Sequence, residues 1–285
     1  MKQIIFTSLI SISLSATVFG QIFTEDFESG QITGEAPAGA PVIRPTTNTA
    51  TSFTKIVSGV DNTAGGGVGN AVQIYDNDSG AAGLEYDFVG STGEQLSAFQ
   101  ISFDFSQNSA GAGNSEEIYF GAGEYNGTSS TRMNANARRF FEVRFMEDGT
   151  LDIVSSSESS TGNSINLGGN TIQIFVNDYD SQTVTYTSPE TSTGVALAAN
   201  SVAYYLNGTL LLSTTLDTAD ATVAGTVGTT ENNFGRFGWY SGTTAVGNDY
   251  IFDNISLSTI PEPSSVTMLI GLGSIALILT RRRRA

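Results

Sequence analysis

Phe99-Gln100-Ile101-Ser102-Phe103-Asp104-Phe105-Ser106 decides the fold. Phe99, Ile101, Phe103 and Phe105 occupy one set of alternate positions, and Gln100, Ser102, Asp104 and Ser106 the other. A period of two places all four large apolar groups on one face of a strand, with the polar groups opposite. Phe141, Val143 and Phe145 alternate in the same way with Glu142 and Arg144.

Outward from this stretch the pattern repeats in short runs separated by turn residues. Ile22 to Phe27, Phe53 to Val57, Ala71 to Tyr75, Leu84 to Val89, Glu117 to Gly123 and Leu151 to Val154 read as strands. So do Thr171 to Val176, Thr183 to Thr187, Val202 to Leu206, Thr209 to Leu212, Arg236 to Tyr240 and Tyr250 to Leu257. Residues 31–51 read as an extended crossing loop and Asn62 to Asn70 as a glycine-rich loop. Asp148-Gly149 and Asn207-Gly208 predict hairpins, because these residues tolerate the positive φ that tight turns need. No window sustains 3.6-residue apolar spacing, so the middle of the chain is predicted to be all-β. Twelve to fourteen strands in two packed antiparallel sheets would hide their inner faces.

The ends read differently. Lys2 followed by apolar Ile4 to Val18, with Val18-Phe19-Gly20 ahead of Gln21, is a helical secretory signal with cleavage expected after Gly20. Val266 to Thr280 is uncharged and, at about 1.5 Å per helical residue, reaches roughly 22 Å. With Ser264, Ser265 and snorkelling arginines it is expected to cross a core of about 30 Å as a single transmembrane helix. Arg281 to Arg284 would stay cytoplasmic and leave the preceding body outside. Three segments follow: 1–20 signal, 21–259 β-sandwich, 260–285 tail.

Without Lys2, Glu262 and the four tail arginines the body keeps 7 basic residues against 27 acidic ones, about −20. Such a surface lacks the cationic footprint of a nucleic-acid or anionic-lipid binder. The chain has no Cys, hence no disulfide framework, and no His, hence no His-based triad or His-ligated zinc. Glycan hydrolysis needs an acid and a base or nucleophile at fixed separation. Glu116-Glu117 are adjacent and point to opposite faces, and Glu142 with Arg144 reads as a strand-surface ion pair. The expectation is a non-enzyme. Asp76-Asn77-Asp78 with Gly80 offers oxygens suited to Ca2+, and Asn177, Asp178 and Asp180 form a similar turn. The simpler reading of both is turn chemistry. Tyr125, Tyr179, Trp239 and Tyr240, in or near loops, are candidate sugar-stacking residues.

Pro261-Glu262-Pro263, the apolar stretch and Arg281, Arg282, Arg283 and Arg284, in that order at the chain end, resemble the PEP-CTERM sorting tail of exported bacterial proteins. The resemblance implies recognition by an exosortase-type transpeptidase, after delivery by the export machinery and transient membrane anchoring. It implies release to the cell surface or an extracellular polysaccharide matrix. Glu25-Asp26-Phe27-Glu28, Val202 to Leu210, Phe237-Gly238-Trp239-Tyr240 and Phe252 to Leu257, in that order, resemble laminin-G-like, concanavalin A-like jelly rolls. That resemblance implies carbohydrate or matrix contact and a structural Ca2+ tying the first strand to the last, which nominates Glu25 or Glu28 with Asp253. The expected function is a secreted, non-catalytic carbohydrate- or matrix-binding module. The alternatives are a glycan-active hydrolase or lyase, and a structural or adhesive protein that binds other proteins.

Overall fold

The computed structural model describes residues 20–32, 41–44, 49–61, 68–77, 82–87, 96–108, 117–123, 139–154, 158–166, 168–216, 234–241 and 247–260. The expected signal and transmembrane helices, Asp78 and Tyr125 lie outside them. Seventeen strands and no helix occur among the described residues. They are β1 (Gln21–Glu25), β2 (Val42–Arg44), β3 (Ser52–Asp61), β4 (Val68–Asp76), β5 (Gly83–Asp87), β6 (Ala98–Gln107), β7 (Glu117–Gly123), β8 (Arg139–Met146), β9 (Thr150–Val154) and β10 (Ser159–Ser164). They continue with β11 (Asn170–Asn177), β12 (Val184–Thr187), β13 (Gly194–Leu197), β14 (Ser201–Leu206), β15 (Thr209–Thr215), β16 (Arg236–Ser241) and β17 (Asn248–Thr259). This exceeds the twelve to fourteen expected. β2 lies inside the stretch read as a crossing loop, β10 carries no apolar alternation to announce it, and β13 is only four residues long.

All pairs are antiparallel. One sheet runs β15-β14-β11-β6-β17-β4-β3, with β1 also paired to β17. The other runs β10-β9-β8-β7-β16-β5-β2, and β12-β13 form a separate ribbon. Both predicted hairpins form. Asn207 (φ 52°) and Gly208 (φ 81°) join β14 to β15, and Gly149 (φ 79°) joins β8 to β9. In the second turn the Asp148 carboxylate accepts from Thr150 N at 3.0 Å.

The four alternating residues of β6 all face inward and are buried. Phe103 lies 4.8 Å, ring centre to ring centre, from both Phe120 and Trp239 of the opposite sheet. It lies 6.0 Å from Phe252 of its own sheet. Phe145 meets Phe252 at 5.2 Å, and Phe23 meets Tyr86 at 4.8 Å, also across the sheets. The Tyr250 hydroxyl donates to Met146 O at 2.6 Å and adds a polar tie between the sheets. A smaller core of Phe175, Tyr179, Val184, Tyr186, Leu197, Ala203, Tyr205 and Ile260 forms where the β12-β13 ribbon covers the outside of the eight-stranded sheet. There the Tyr186 and Tyr205 hydroxyls are 2.8 Å apart.

β17 changes neighbour halfway. Asn248 to Phe252 pair with β4, and Ile255 to Ser258 pair with β1. The switch falls at an irregularity between Asp253 and Ser256, where Asn254 takes φ 49°. Asp253 sits opposite Asp104 on the outward face and is 4 % exposed. Burial raises its carboxyl to a pKa of about 7; the Asn254 N–H opposes the rise, while the charges of Asp104, Glu28 and Asp26 add to it.

Two outcomes are expected. Phe103→Ala should lower unfolding stability by about 3–5 kcal/mol in urea, because it removes a ring at the centre of the inter-sheet layer. A loss below about 1 kcal/mol would contradict that placement. The folded protein holds the Asp253 proton above the ordinary 3.8. Stability from this residue is therefore full below about pH 4 and is lost as pH rises to about 7. Asp253→Asn should match the parent near pH 4 and be more stable at pH 8 by thermal melting; a constant difference across that range contradicts the assignment.

Candidate functional site

In the seven-stranded sheet the inward positions are Leu84, Tyr86, Ile118, Phe120, Phe141, Val143, Phe145, Phe237 and Trp239, all in the main core. Alternation therefore turns the neighbouring positions outward. Strand register then places them in rows across the sheet. One row is Gly83, Tyr240, Tyr119, Arg144 and Asp152; the next is Glu85, Gly238, Gly121 and Glu142. Asp87 and Arg236 pair beyond these.

The first row is an aromatic ladder. The Tyr119 and Tyr240 rings stack 4.9 Å apart at 11°. The Arg144 guanidinium lies 5.4 Å from the Tyr119 ring centre on the neighbouring strand. On its other side Tyr240 is paired with Gly83, so no side chain stands on the backbone beside it in that row. The two glycines bordering Tyr240 and Glu85 are required by close approach. A Cβ at Gly83 would lie 2.4 Å from Trp239 O, and one at Gly238 2.5 Å from Leu84 O and 2.9 Å from Glu85 Cγ.

Ion pairs fix the charged groups. Arg236, 1 % exposed, binds Asp87 through Nε and through Nη2 at 3.0 Å, and its Nη1 lies 3.6 Å from Glu85. A buried guanidinium holding two carboxylates keeps all three charged groups in place. Glu142 pairs with Arg144, as the alternation suggested. Glu85 and Glu142 are three strand spacings apart in one row, about 14 Å between backbones at ~4.8 Å per step. Each is held by an arginine. The face thus combines a half-exposed pair of stacked rings with a buried Gly83 and with Glu85 and Glu142, which are 3 % and 9 % exposed and fixed by arginines.

Of the sequence-nominated sugar contacts, Tyr240 lies on this face, half-buried. Trp239 does not: its indole is fully buried against Phe103, Phe120 and Phe252, because its position in the alternation points inward. Tyr179 is also turned in and packs in the smaller core. Tyr119, Gly83 and Glu85 were missed. Their rows exist only through long-range register, although the alternation around Trp239 already implied an outward Tyr240.

The nominated calcium ligands lie in different surroundings, and of them Glu28 is close enough for its charge, with those of Asp104 and Asp26, to act on Asp253. Glu25 faces inward with Phe23, 5 % exposed, and its carboxylate accepts from Phe27 N at 3.1 Å. Its charge, together with burial, drives the Tyr86 hydroxyl's pKa upward. Glu28 is exposed and accepts from Asn70 N at 2.9 Å, stitching the end of β1 to β4. Asp253 is on the outward face, and Asp76 is buried at the far end of β4. Among the described residues no group of three or more carboxylates is placed to hold a metal ion. In the second candidate turn the Asn177 amide donates to Gln182 O, Leu197 O and Ala198 O at 2.8–3.0 Å, so it braces the β12-β13 ribbon.

No curated protein matches the chain. Among solved structures it is similar to a carbohydrate esterase from the Shiga toxin-encoding bacteriophage phi24B, with a TM-score of 0.50 and 12% identity over 86% of this chain and 100% of that one. It also matches a sialidase (TM-score 0.49, 10% identity, 86% of this chain), of which it spans only 19%. A third match is domain 4 of AbnA, a GH43 extracellular arabinanase from Geobacillus stearothermophilus in complex with arabinotriose (TM-score 0.44, 13% identity, 87% and 96% covered). The likeness to the esterase is one of fold and is consistent with a concanavalin A-like jelly roll. Residues 259–284 match the PEP-CTERM protein-sorting motif, so the chain is an antiparallel β-sandwich that carries an exosortase-type sorting tail.

Proposed function

We propose that this protein is an exported module that binds neutral polysaccharide through the outward face of its seven-stranded sheet, and that it is delivered to the cell surface or extracellular matrix. The stacked Tyr119–Tyr240 pair beside Gly83 carries the reading. A pyranose presents an apolar C–H face that packs on an aromatic ring, and its rim hydroxyls can bond to tyrosine hydroxyls. The net charge of −16 disfavours anionic glycans. The sorting tail supports export, with membrane anchoring before processing. Binding without cleavage is favoured because Glu85 and Glu142 are both held by arginines and lie far apart for the carboxyl separation of about 5–9.5 Å that glycosidases use. The fold likeness at a TM-score of 0.50 is to a protein described as a carbohydrate esterase.

The test is a glycan array followed by titration calorimetry on the best neutral oligosaccharide. Tyr240→Ala should weaken binding about tenfold, roughly 1.4 kcal/mol, with an unchanged circular dichroism spectrum. Equal affinity in the variant would remove this face from the reading. Release of new reducing ends from the polysaccharide would replace it with a glycan-active enzyme.

A further inference from the structure

The sorting motif begins inside the folded body. Its match starts at Thr259, the last residue of β17, and Pro261 comes after a single further residue. Thr259 is held on both sides while the leader is attached, and by β6 alone once Gly20 has left with it. It pairs with Phe99 of β6, and its N–H donates to Gly20 O at 2.9 Å. Ile260 donates its N–H to Ala98 O at 3.0 Å and is 2 % exposed in the smaller core with Phe175 and Tyr186. The other processing point is stitched to the same place, since Gln21 pairs with Ser258. The expected leader junction and the sorting motif thus meet at one end of the sandwich. Five residues, Pro261 to Ser265, separate Ile260 from the apolar stretch, a reach of at most about 18 Å.

We propose that the closed sandwich restrains processing of its own sorting tail, so that cutting near Pro261–Pro263 waits on local release of Thr259 and Ile260. The inference rests on the tail being processed at all. Cleavage there breaks one peptide bond, passes the acyl group to water or another nucleophile and releases the tail with a new amino terminus. An enzyme doing this grips extended backbone on both sides of the bond. On the body side that backbone is engaged by Phe99 and Ala98 of β6 and by the buried side chain of Ile260, while the bond to Gly20 leaves with the leader. Opening a strand end that is paired to β6 and anchored by a buried side chain costs more than fraying of a free terminus. The same geometry orders the two cuts. β17 emerges last from the export channel, so the leader can be removed while Gln21 still lacks Ser258, whereas the tail is reached only after β17 can close.

The test is a pulse–chase of the full chain in a bacterial host that processes such tails. One variant carries a Gly-Ser spacer of about six residues between Ile260 and Pro261. A second carries the same spacer between Ser264 and Ser265, which adds distance to the membrane without freeing the motif from the body. The first should lose its tail about tenfold faster than the parent, with an unchanged unfolding midpoint, and the second at the parental rate. Ile260→Asn, which loosens the anchor, should also be cut faster. Equal rates for the parent and the first variant, or equal acceleration by both spacers, would overturn the proposal. If none of the chains is cut, the reading of the tail itself falls with it.

Discussion

The aromatic layer between the sheets is the constraint from which the rest follows. Phe103, Phe105, Phe120, Phe145, Phe237, Trp239 and Phe252 interlock across the gap, all within 2 % of full burial. Each contributes a large apolar area, of the order of 2–3 kcal/mol per buried side chain. The chain has no disulfide to share the task. Because a strand alternates strictly, committing these residues inward commits their neighbours outward. A slip of one residue in β16 would expose Phe237 and Trp239 and bury Arg236 and Tyr240 between the sheets. The core therefore fixes which side chains the outer face displays.

That face is organised by pairings far apart in sequence. Tyr119 and Tyr240 stack because β7 and β16 are neighbours in register, more than a hundred residues apart along the chain. The glycines at 83 and 238 serve the same packing, since a side chain at either would collide with the adjacent strand. The absence of side chains at these two positions is thus a consequence of close strand approach. Arg236 completes the arrangement by holding Glu85 and Asp87 together in a nearly buried cluster.

The parts of the fold written in local pattern were legible. Phe99 to Ser106 announced its own two faces, and Asn207-Gly208 and Asp148-Gly149 their hairpins, because alternation and positive φ are local properties. β10, with the sequence Ser-Ser-Thr-Gly-Asn-Ser, was illegible because an edge strand that buries little needs no apolar period. Tyr240 and Trp239 are both aromatic and near a chain turn, yet the fold puts Tyr240 on the outward face and Trp239 in the core. Counting parity from Phe237 would have separated them. The acidic residues could be sorted only by the fold. Glu25 is acidic yet faces inward with Phe23, whereas Glu28 is exposed and its charge reaches Asp253. The sorting tail was legible throughout, since its meaning lies in the order of residues along the chain.

The most direct test of the account is a crystal structure of the protein soaked with a neutral oligosaccharide that it binds. A sugar ring is expected against Tyr240 on the outward face of the seven-stranded sheet. A ring seated on the eight-stranded sheet, or on the β12-β13 ribbon, with the Tyr119–Tyr240 ladder bare, would contradict it.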